Sequence, residues 1–239
     1  WAYLPGTEER DGDVWLNPAH AAFDTVLAGA SFMGTFGWHT LIHEIGHAFG
    51  LRHGHDDDHA GDALPDAYDG MEYSVMTYRS YVGDPYPGPY SNEADGYAQS
   101  FMTLDIAALQ GLYGANYDTA AGDTHYHFDP ETGVVTRDGE VLSDPSANRI
   151  FLTIWDGNGR DTFDLSDYTT SLLVDLRPGA GTDVDAEGDH QAARLGTGVY
   201  ADAQVYTSAL VDGDPRGFIE NAIGGSGDDT LIGNDVDNV

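Results

Sequence analysis

His43, Glu44, His47, Gly50 and His53 spell H-E-x-x-H-x-x-G-x-x-H, with five fixed positions in a run of eleven. A helix advances about 100° per residue, so His43 and His47 leave one face a turn apart and can reach a single cation. Glu44 stands beside that face, where it can hold a metal-bound water without ligating the metal. Gly50 is predicted to let the chain leave the helix through a left-handed residue, and that bend returns His53 as a third ligand. Three neutral imidazoles leave a fourth position for water, the open arrangement of catalytic zinc rather than the closed one of a structural site. Leu41, Ile45 and Ala48 fall on another face and are expected to bury.

A second signal follows about twenty residues later: Tyr73-Ser74-Val75-Met76-Thr77-Tyr78, a Met-containing turn. Alone, Met76 could simply be core. Together the two motifs resemble the metzincin peptidases, and Ser-x-Met-x-Tyr beside the long zinc motif narrows the resemblance to the serralysin family, secreted bacterial zinc proteases with a calcium-binding C-terminal roll. The resemblance implies zinc on His43, His47 and His53, with Tyr78 as a displaceable fourth ligand that swings away to hydrogen-bond the tetrahedral intermediate. It implies Glu44 as the catalytic base and Met76 as a structural floor under the imidazoles, without a chemical role.

The implied fold class is an α+β metzincin-like catalytic part over residues 1–114, followed by an all-β calcium-binding β-roll or sandwich part over residues 115–239. The chain also departs from the family. Only 42 residues precede His43, whereas the resembling proteases carry a longer stretch that supplies a first helix and most of a sheet. The chain is therefore expected to match the second part of such a domain, either as a processed or clipped fragment or with an upstream segment of the same protease supplied separately as a partner.

Composition narrows the partners. Of 239 residues 41% are apolar, enough to bury a core, and 41 acids stand against nine bases, a formal charge of −32. All nine bases are Arg. Such a surface repels nucleic acid and anionic membrane and attracts cations, so neither polyanion is expected as a partner and a monomer is expected. Cysteine is absent, which excludes disulfides and thiolate metal sites. A secreted chain without disulfides needs another staple, and bound calcium can serve. No run of eighteen apolar residues is present, and Trp1-Ala2-Tyr3-Leu4-Pro5 is not a signal peptide.

Along the chain, residues 1–4 and 13–16 read as short strands, Asn17-Pro18 as the start of an Ala-rich helix to about Leu27, and Gly29, Gly34 and Gly37 as breaks before the zinc helix. His55, Asp56, Asp57, Asp58 and His59 form either a solvated acidic loop or a second metal site. The Gly, Pro and Tyr-rich run 81–97 reads as a loop bordering the cleft. Residues 103–113 read as a packing helix with Leu104, Ala108, Leu109 and Leu112 on one face and Gly114 as stop, with no claim on chemistry. Beyond it, residues 134–137 and 140–142 flank Asp138-Gly139, a hairpin signal, and strands are expected at 149–154, 171–176 and 217–223.

Gly224-Gly225-Ser226-Gly227-Asp228-Asp229-Thr230-Leu231-Ile232 fits the calcium nonapeptide G-G-x-G-x-D-x-U-x at every fixed position. Gly225, Gly227 and Asp229 are the calcium candidates there, with Leu231 expected to point into the roll. The next repeat, begun by Gly233-Asn234, stops short of the turn one coil later, so this site is expected to be half built. The segment 155–164 is a degenerate copy. By the family pattern, Asp156, Asn158 and Asp161 with the carbonyls of Ala120, Gly122 and Thr124 hold one calcium, and Gly159, Asp161, Phe218 and Glu220 hold a neighbouring one; all-oxygen sets suit a hard cation.

The reading is a secreted, extracellular zinc endopeptidase hydrolysing peptide bonds in proteins. Two alternatives stand beside it: a catalytically silent calcium-binding scaffold module, and a protease fragment that works only with a separate upstream segment.

Overall fold

A computed structural model describes residues 1–17, 31–56 and 63–239. The Ala-rich helix expected from Asn17, Gly29, and Asp57, Asp58 and His59 of the acidic loop lie outside the described residues, apart from Asn17 itself. Residues 1–4 and 13–16 pair antiparallel about one bridge, Ala2 to Val14, with the Tyr3 amide on the Asp13 carbonyl at 3.0 Å and the Trp15 amide on the Trp1 carbonyl at 2.8 Å.

The first described helix, α1 (Phe36–Ala48), starts at Thr35, whose hydroxyl accepts the Trp38 amide. Gly37 does not break the chain; it lies buried in the first turn. The helix ends as anticipated for a glycine in the left-handed region: Gly50 has φ 97°, its amide reaches the His47 carbonyl, and the Leu51 amide reaches the Gly46 carbonyl, both at 2.9 Å. That paired pattern closes the last turn and redirects the chain.

The buried side of α1 differs from the expected one. Gly37, His39, Ile42, His43 and Gly46 are buried, while Leu41, Ile45 and Ala48 are half-buried. The stripe that carries the histidines is the stripe that packs, because the Met-containing turn lies directly beneath it. A Cβ built on Gly46 would stand 2.5 Å from Met76 Sδ, so Gly46→Ala is expected to force the floor apart and lower stability by roughly 1–3 kcal/mol. Thermal melting of the variant measures this, and an unchanged Tm would refute the contact.

Helix α2 (Thr103–Tyr113) occupies the predicted residues, with Gly114 following at φ 84°. Its apolar face is not the anticipated one. Leu112 is 58% exposed and Ala108 is exposed, whereas Thr103 and Asp105 are buried. The helix turns its first turn inward, and a carboxylate does the anchoring there. Residues 81–97 hold no helix or strand.

The remainder is short strands: β1 (His125–Phe128), β2 (Val135–Arg137), β3 (Glu140–Ser143), β4 (Leu152–Ile154), β5 (Thr162–Asp164), β6 (Leu173–Asp175), β7 (Gly181–Thr182), β8 (Arg194–Gly196), β9 (Val199–Tyr200), β10 (Val205–Thr207), β11 (Asn221–Ile223) and β12 (Thr230–Ile232). One sheet has the order β11-β5-β1-β2-β3 and another β4-β10-β7. β5 pairs parallel with both β1 and β11, β10 parallel with β4, and β12 parallel with β6. Such pairings between strands far apart in sequence stack successive coils of the chain. β2 and β3 form the Asp138-Gly139 hairpin, both turn residues having positive φ, 52° and 83°.

Among the described residues, two apolar clusters form the core. One lies inside the β part, around Tyr126, Phe128, Phe163, Leu165, Tyr168 and Val174. The other draws Ile42, Met71, Val75, Met76 and Met102 together with Phe151, Leu195, Ala203 and Tyr206, and so crosses the boundary expected near residue 114. Polar ties cross it too: Glu93 accepts Arg149 Nε at 2.7 Å and the Arg194 amide at 3.1 Å, and Glu72 accepts the Tyr206 hydroxyl at 3.0 Å.

Candidate metal centre

α1 and the bend after it bring His43, His47 and His53 together, one ring nitrogen of each lying within 4.8 Å of the others. The rings meet edge to face, His43 with His47 at 4.7 Å and His47 with His53 at 4.5 Å between centroids. His43 Nδ1 lies 2.8 Å from the Val75 carbonyl and His47 Nδ1 2.8 Å from the Leu51 carbonyl. His53 Nδ1 lies 3.4 Å from Asp56 Oδ2. Carbonyls and carboxylates only accept, so each Nδ1 carries the proton and each Nε2 keeps a free lone pair.

Those lone pairs converge, with His47 Nε2 and His53 Nε2 3.0 Å apart. Two nitrogens on one tetrahedral zinc stand about 3.4 Å apart, given Zn–N bonds of about 2.1 Å. Facing lone pairs at such a distance repel unless a cation lies between them. Burial, reinforced by the neighbouring imidazoles, drives the His43 pKa down to about 4 and lowers that of His53 as well. Neutral rings are the metal-binding form, so donor type, tautomer and protonation all fit a zinc ion.

Tyr78 completes the group: its hydroxyl is 2.8 Å from His53 Nε2 and its ring stacks on His43 at 5.6 Å. Burial and the Glu44 carboxylate raise its phenol pKa. Glu44 lies on α1 beside the imidazoles, with Oε1 3.3 Å from the Trp1 nitrogen. Met76 is 2% exposed under the rings. Phe36, Tyr78, Pro89, Tyr90 and Tyr97 line an open aromatic groove of about 410 Å³ leading away from Tyr78.

Two residues here escape motif reading. Asp105, on the helix read as mere packing, accepts Ser74 Oγ at 2.6 Å, the Val75 amide at 2.8 Å and the Met102 amide at 2.9 Å. It therefore anchors Val75, the residue whose carbonyl orients His43, although burial raises its pKa to about 6. A lone acid in the first turn of an otherwise apolar helix was the signal. The second is His39, one helical turn before His43 and 2% exposed.

His53, His55 and Asp56 also group within 4.8 Å, but His53 belongs to the first cluster, and His55 Nε2 is engaged by the Tyr86 hydroxyl at 3.2 Å.

The oxygen sites form two groups. Asp156, Asp161 and Glu220 are buried together. Asp161 Oδ1 accepts the Thr124 amide at 2.9 Å, and Glu220 Oε2 accepts the Asp161 amide at 2.7 Å. The Thr124 hydroxyl lies 3.2 and 3.0 Å from the Ala120 and Gly122 carbonyls. A Cβ on Gly159 would strike the Gly122 carbonyl at 2.1 Å, so this turn must be glycine. Asn158 donates its amide to Asp156 at 3.1 Å, and Phe218, two residues before Glu220, is buried.

Asp161 Oδ2 is buried without a hydrogen-bond partner among the described residues. Burial, then repulsion from Asp156 and Glu220, pushes its pKa up to about 8, and those of Asp156 and Glu220 rise too, mainly through burial. Carboxylates crowded with an orphaned oxygen fit a hard cation.

At the nonapeptide, Cβ atoms on Gly225 and Gly227 would meet the Tyr168 and Thr170 carbonyls at 2.3 and 2.1 Å, and Asp229 Oδ1 accepts the Leu172 amide at 3.1 Å. The turn thus stacks on the preceding coil. Leu231 does not point into a core; it is 51% exposed, and among the described residues β12 has β6 as its one strand neighbour.

Comparison with known proteins places this geometry in context. The family described as Peptidase M10 serralysin C terminal matches residues 115–204. Serralysin of Proteus mirabilis is 34% identical over 250 residues, covering all of this chain and 44% of that protein. Metallopeptidase AprA of Pseudomonas marginalis is 34% identical over 249 residues, all of this chain and 46% of the relative. Metalloprotease AprA of Pseudomonas entomophila is 37% identical over 244 residues, 99% of this chain and 44% of the relative. The chain spans less than half the length of these relatives.

Proposed function

Because this chain belongs to the serralysin family, we propose that it carries the zinc centre of a secreted bacterial endopeptidase that cleaves peptide bonds in proteins. The observation that supports this reading is the convergence of three Nε2 lone pairs, each fixed by an oxygen behind its own ring. His43, His47 and His53 would hold the zinc, with Tyr78 as a displaceable fourth group. When bound, zinc supplies a Lewis acid that polarises the scissile carbonyl and acidifies a water.

The other steps belong to the chain. Glu44 takes the proton of the attacking water and delivers it to the leaving amine. Tyr78, its phenol kept protonated by burial and by Glu44, donates a hydrogen bond to the developing oxyanion. Met76 bars water from beneath the rings. The aromatic groove accepts an apolar substrate side chain.

Tyr78→Phe is expected to lower kcat by about 10²-fold with little change in KM, since the donor acts only where charge develops. Steady-state kinetics on a fluorogenic peptide measure it, and an unchanged kcat would remove Tyr78 from the chemistry.

The oxygen clusters would hold calcium: Asp156, Asn158 and Asp161 with Ala120, Gly122 and Thr124; Gly159, Asp161, Phe218 and Glu220; and Gly225, Gly227 and Asp229. They take the place of disulfides in a chain without cysteine. The partners are protein or peptide substrates, with no nucleic acid or membrane, and the working species is a monomer. Among the described residues no helix is long and apolar enough to cross a membrane.

Casein zymography of the purified chain tests the reading. Digestion that stops with a zinc chelator and returns with zinc supports it. Digestion only after mixing with the upstream segment of a relative supports the fragment reading. No digestion in either arm defeats both.

A further inference from the structure

Behind Tyr78 a part-buried chain of hydrogen bonds runs from α1 to the turn that carries the phenol. Tyr90 donates its hydroxyl proton to the Thr77 carbonyl at 2.7 Å. A phenol has one proton, so its oxygen must accept at its other contact, His39 Nε2 at 3.1 Å. His39 therefore carries its proton on Nε2, and its Nδ1 is buried without a partner among the described residues. Burial keeps the ring neutral, with a pKa of about 3. The position is enclosed by Tyr90 and Tyr97, whose ring centroids lie 5.0 and 5.5 Å away. An apolar side chain could fill the same space without stranding a polar atom.

The recipient of this chain is the peptide unit on which Tyr78 pivots. Thr77 is fully buried, and its hydroxyl bonds to Asp69 Oδ1. On the other side, Arg79 pairs with Asp69 Oδ2 at 2.7 Å. Tyr78 itself is 36% exposed. A partly exposed side chain thus stands on a clamped backbone, and the hold on the Thr77 carbonyl is the part of the clamp that α1 reaches, through His39 and Tyr90.

We propose that His39 is a positioning residue that acts through Tyr90 to hold the Thr77–Tyr78 peptide, fixing the arc along which the Tyr78 phenol moves between His53 and the substrate. The proposal rests on the role given to Tyr78 above. It also assigns a purpose to the orphaned imidazole nitrogen: the ring is kept for its one donor. Because Tyr90 also lines the aromatic groove beside Tyr78, a substrate side chain seated there presses on the same phenol that holds the pivot.

The test is a double-mutant cycle with two readouts. Tyr90→Phe and His39→Leu are each expected to lower kcat about tenfold, the equivalent of one lost hydrogen bond, with KM within about twofold. His39→Gln, which still offers a donor, is expected to restore most of the loss. In the Tyr78→Phe background the same changes are expected to be silent, because they act through the missing phenol. Equal losses in both backgrounds, or none in either, would overturn the proposal.

The second readout needs no turnover. In the metal-free protein, the ring ¹⁵N shifts of His53 report the hydrogen bond from Tyr78. Tyr90→Phe is expected to move the His53 Nε2 signal and leave that of His43 in place. An unmoved His53 signal in a folded variant overturns the proposal even if the parent protein digests nothing, so its failure is separable from failure of the peptidase reading.

Discussion

Glu44→Gln is expected to leave zinc bound and the fold intact while lowering kcat by about 10³-fold or more, at the upper end of what one general base contributes. The amide keeps the size and hydrogen-bonding reach of the carboxylate but cannot take a proton from water. The three histidines, the oxygens behind their rings and Met76 are untouched by the change. Metal content by mass spectrometry of the native protein and hydrolysis of a fluorogenic peptide separate the two effects. Retained zinc with retained hydrolysis would assign the base elsewhere; lost zinc would make Glu44 a ligand or a structural group.

Calcium removal is expected to have the next largest effect, and its sign with pH is diagnostic. In the calcium-free protein the folded-state pKa of Asp161 stands at about 8 against an ordinary 3.8. A carboxyl raised on folding contributes stability below its unfolded pKa and loses it as pH rises through the folded value. The calcium-free Tm should therefore fall between pH 4 and pH 8, by roughly 5 °C or more for a chain of this size. With calcium bound, Asp156, Asp161 and Glu220 are held ionised, as they are in the unfolded chain above about pH 5, so the fall should disappear and stability should be nearly flat from there to pH 8, declining only at lower pH where protons displace the ion. Differential scanning calorimetry at several pH values, with EDTA and with excess calcium, measures both slopes. Parallel curves would mean that no cation neutralises this cluster. Asp161→Asn should flatten the calcium-free curve and remove most of the response to calcium.

The features legible in the sequence are those dictated by local chemistry. The histidine spacing on α1, the left-handed Gly50, the Asp138-Gly139 turn and the limits of α2 all follow from the nearest few residues. The faces of the two helices did not. Periodicity assumes that a buried stripe is apolar, whereas α1 buries His39 and His43 against a turn that arrives from thirty residues away, and α2 buries Asp105. The strands β1, β5 and β10 were equally hidden. Each is three or four residues long, and β10 is buried throughout, so neither alternation nor a long apolar run marks it. Their order follows from stacked coils, a relation between segments tens of residues apart. The oxygen clusters were legible as glycine and aspartate spacings, but the orphaned oxygen of Asp161 depends on how three separate turns meet.

The apolar cluster shared by Met76, Met102, Phe151, Leu195 and Tyr206 makes the two halves poor candidates for recombination. A chimaera joining residues 1–114 to an unrelated β-roll would lay bare the underside of Met71 and Met76, and the imidazole cage would lose its foundation even with every ligand in place. Any exchange of the β part would therefore have to bring Phe151, Leu195, Ala203 and Tyr206 with it, as a matched surface rather than an interchangeable module.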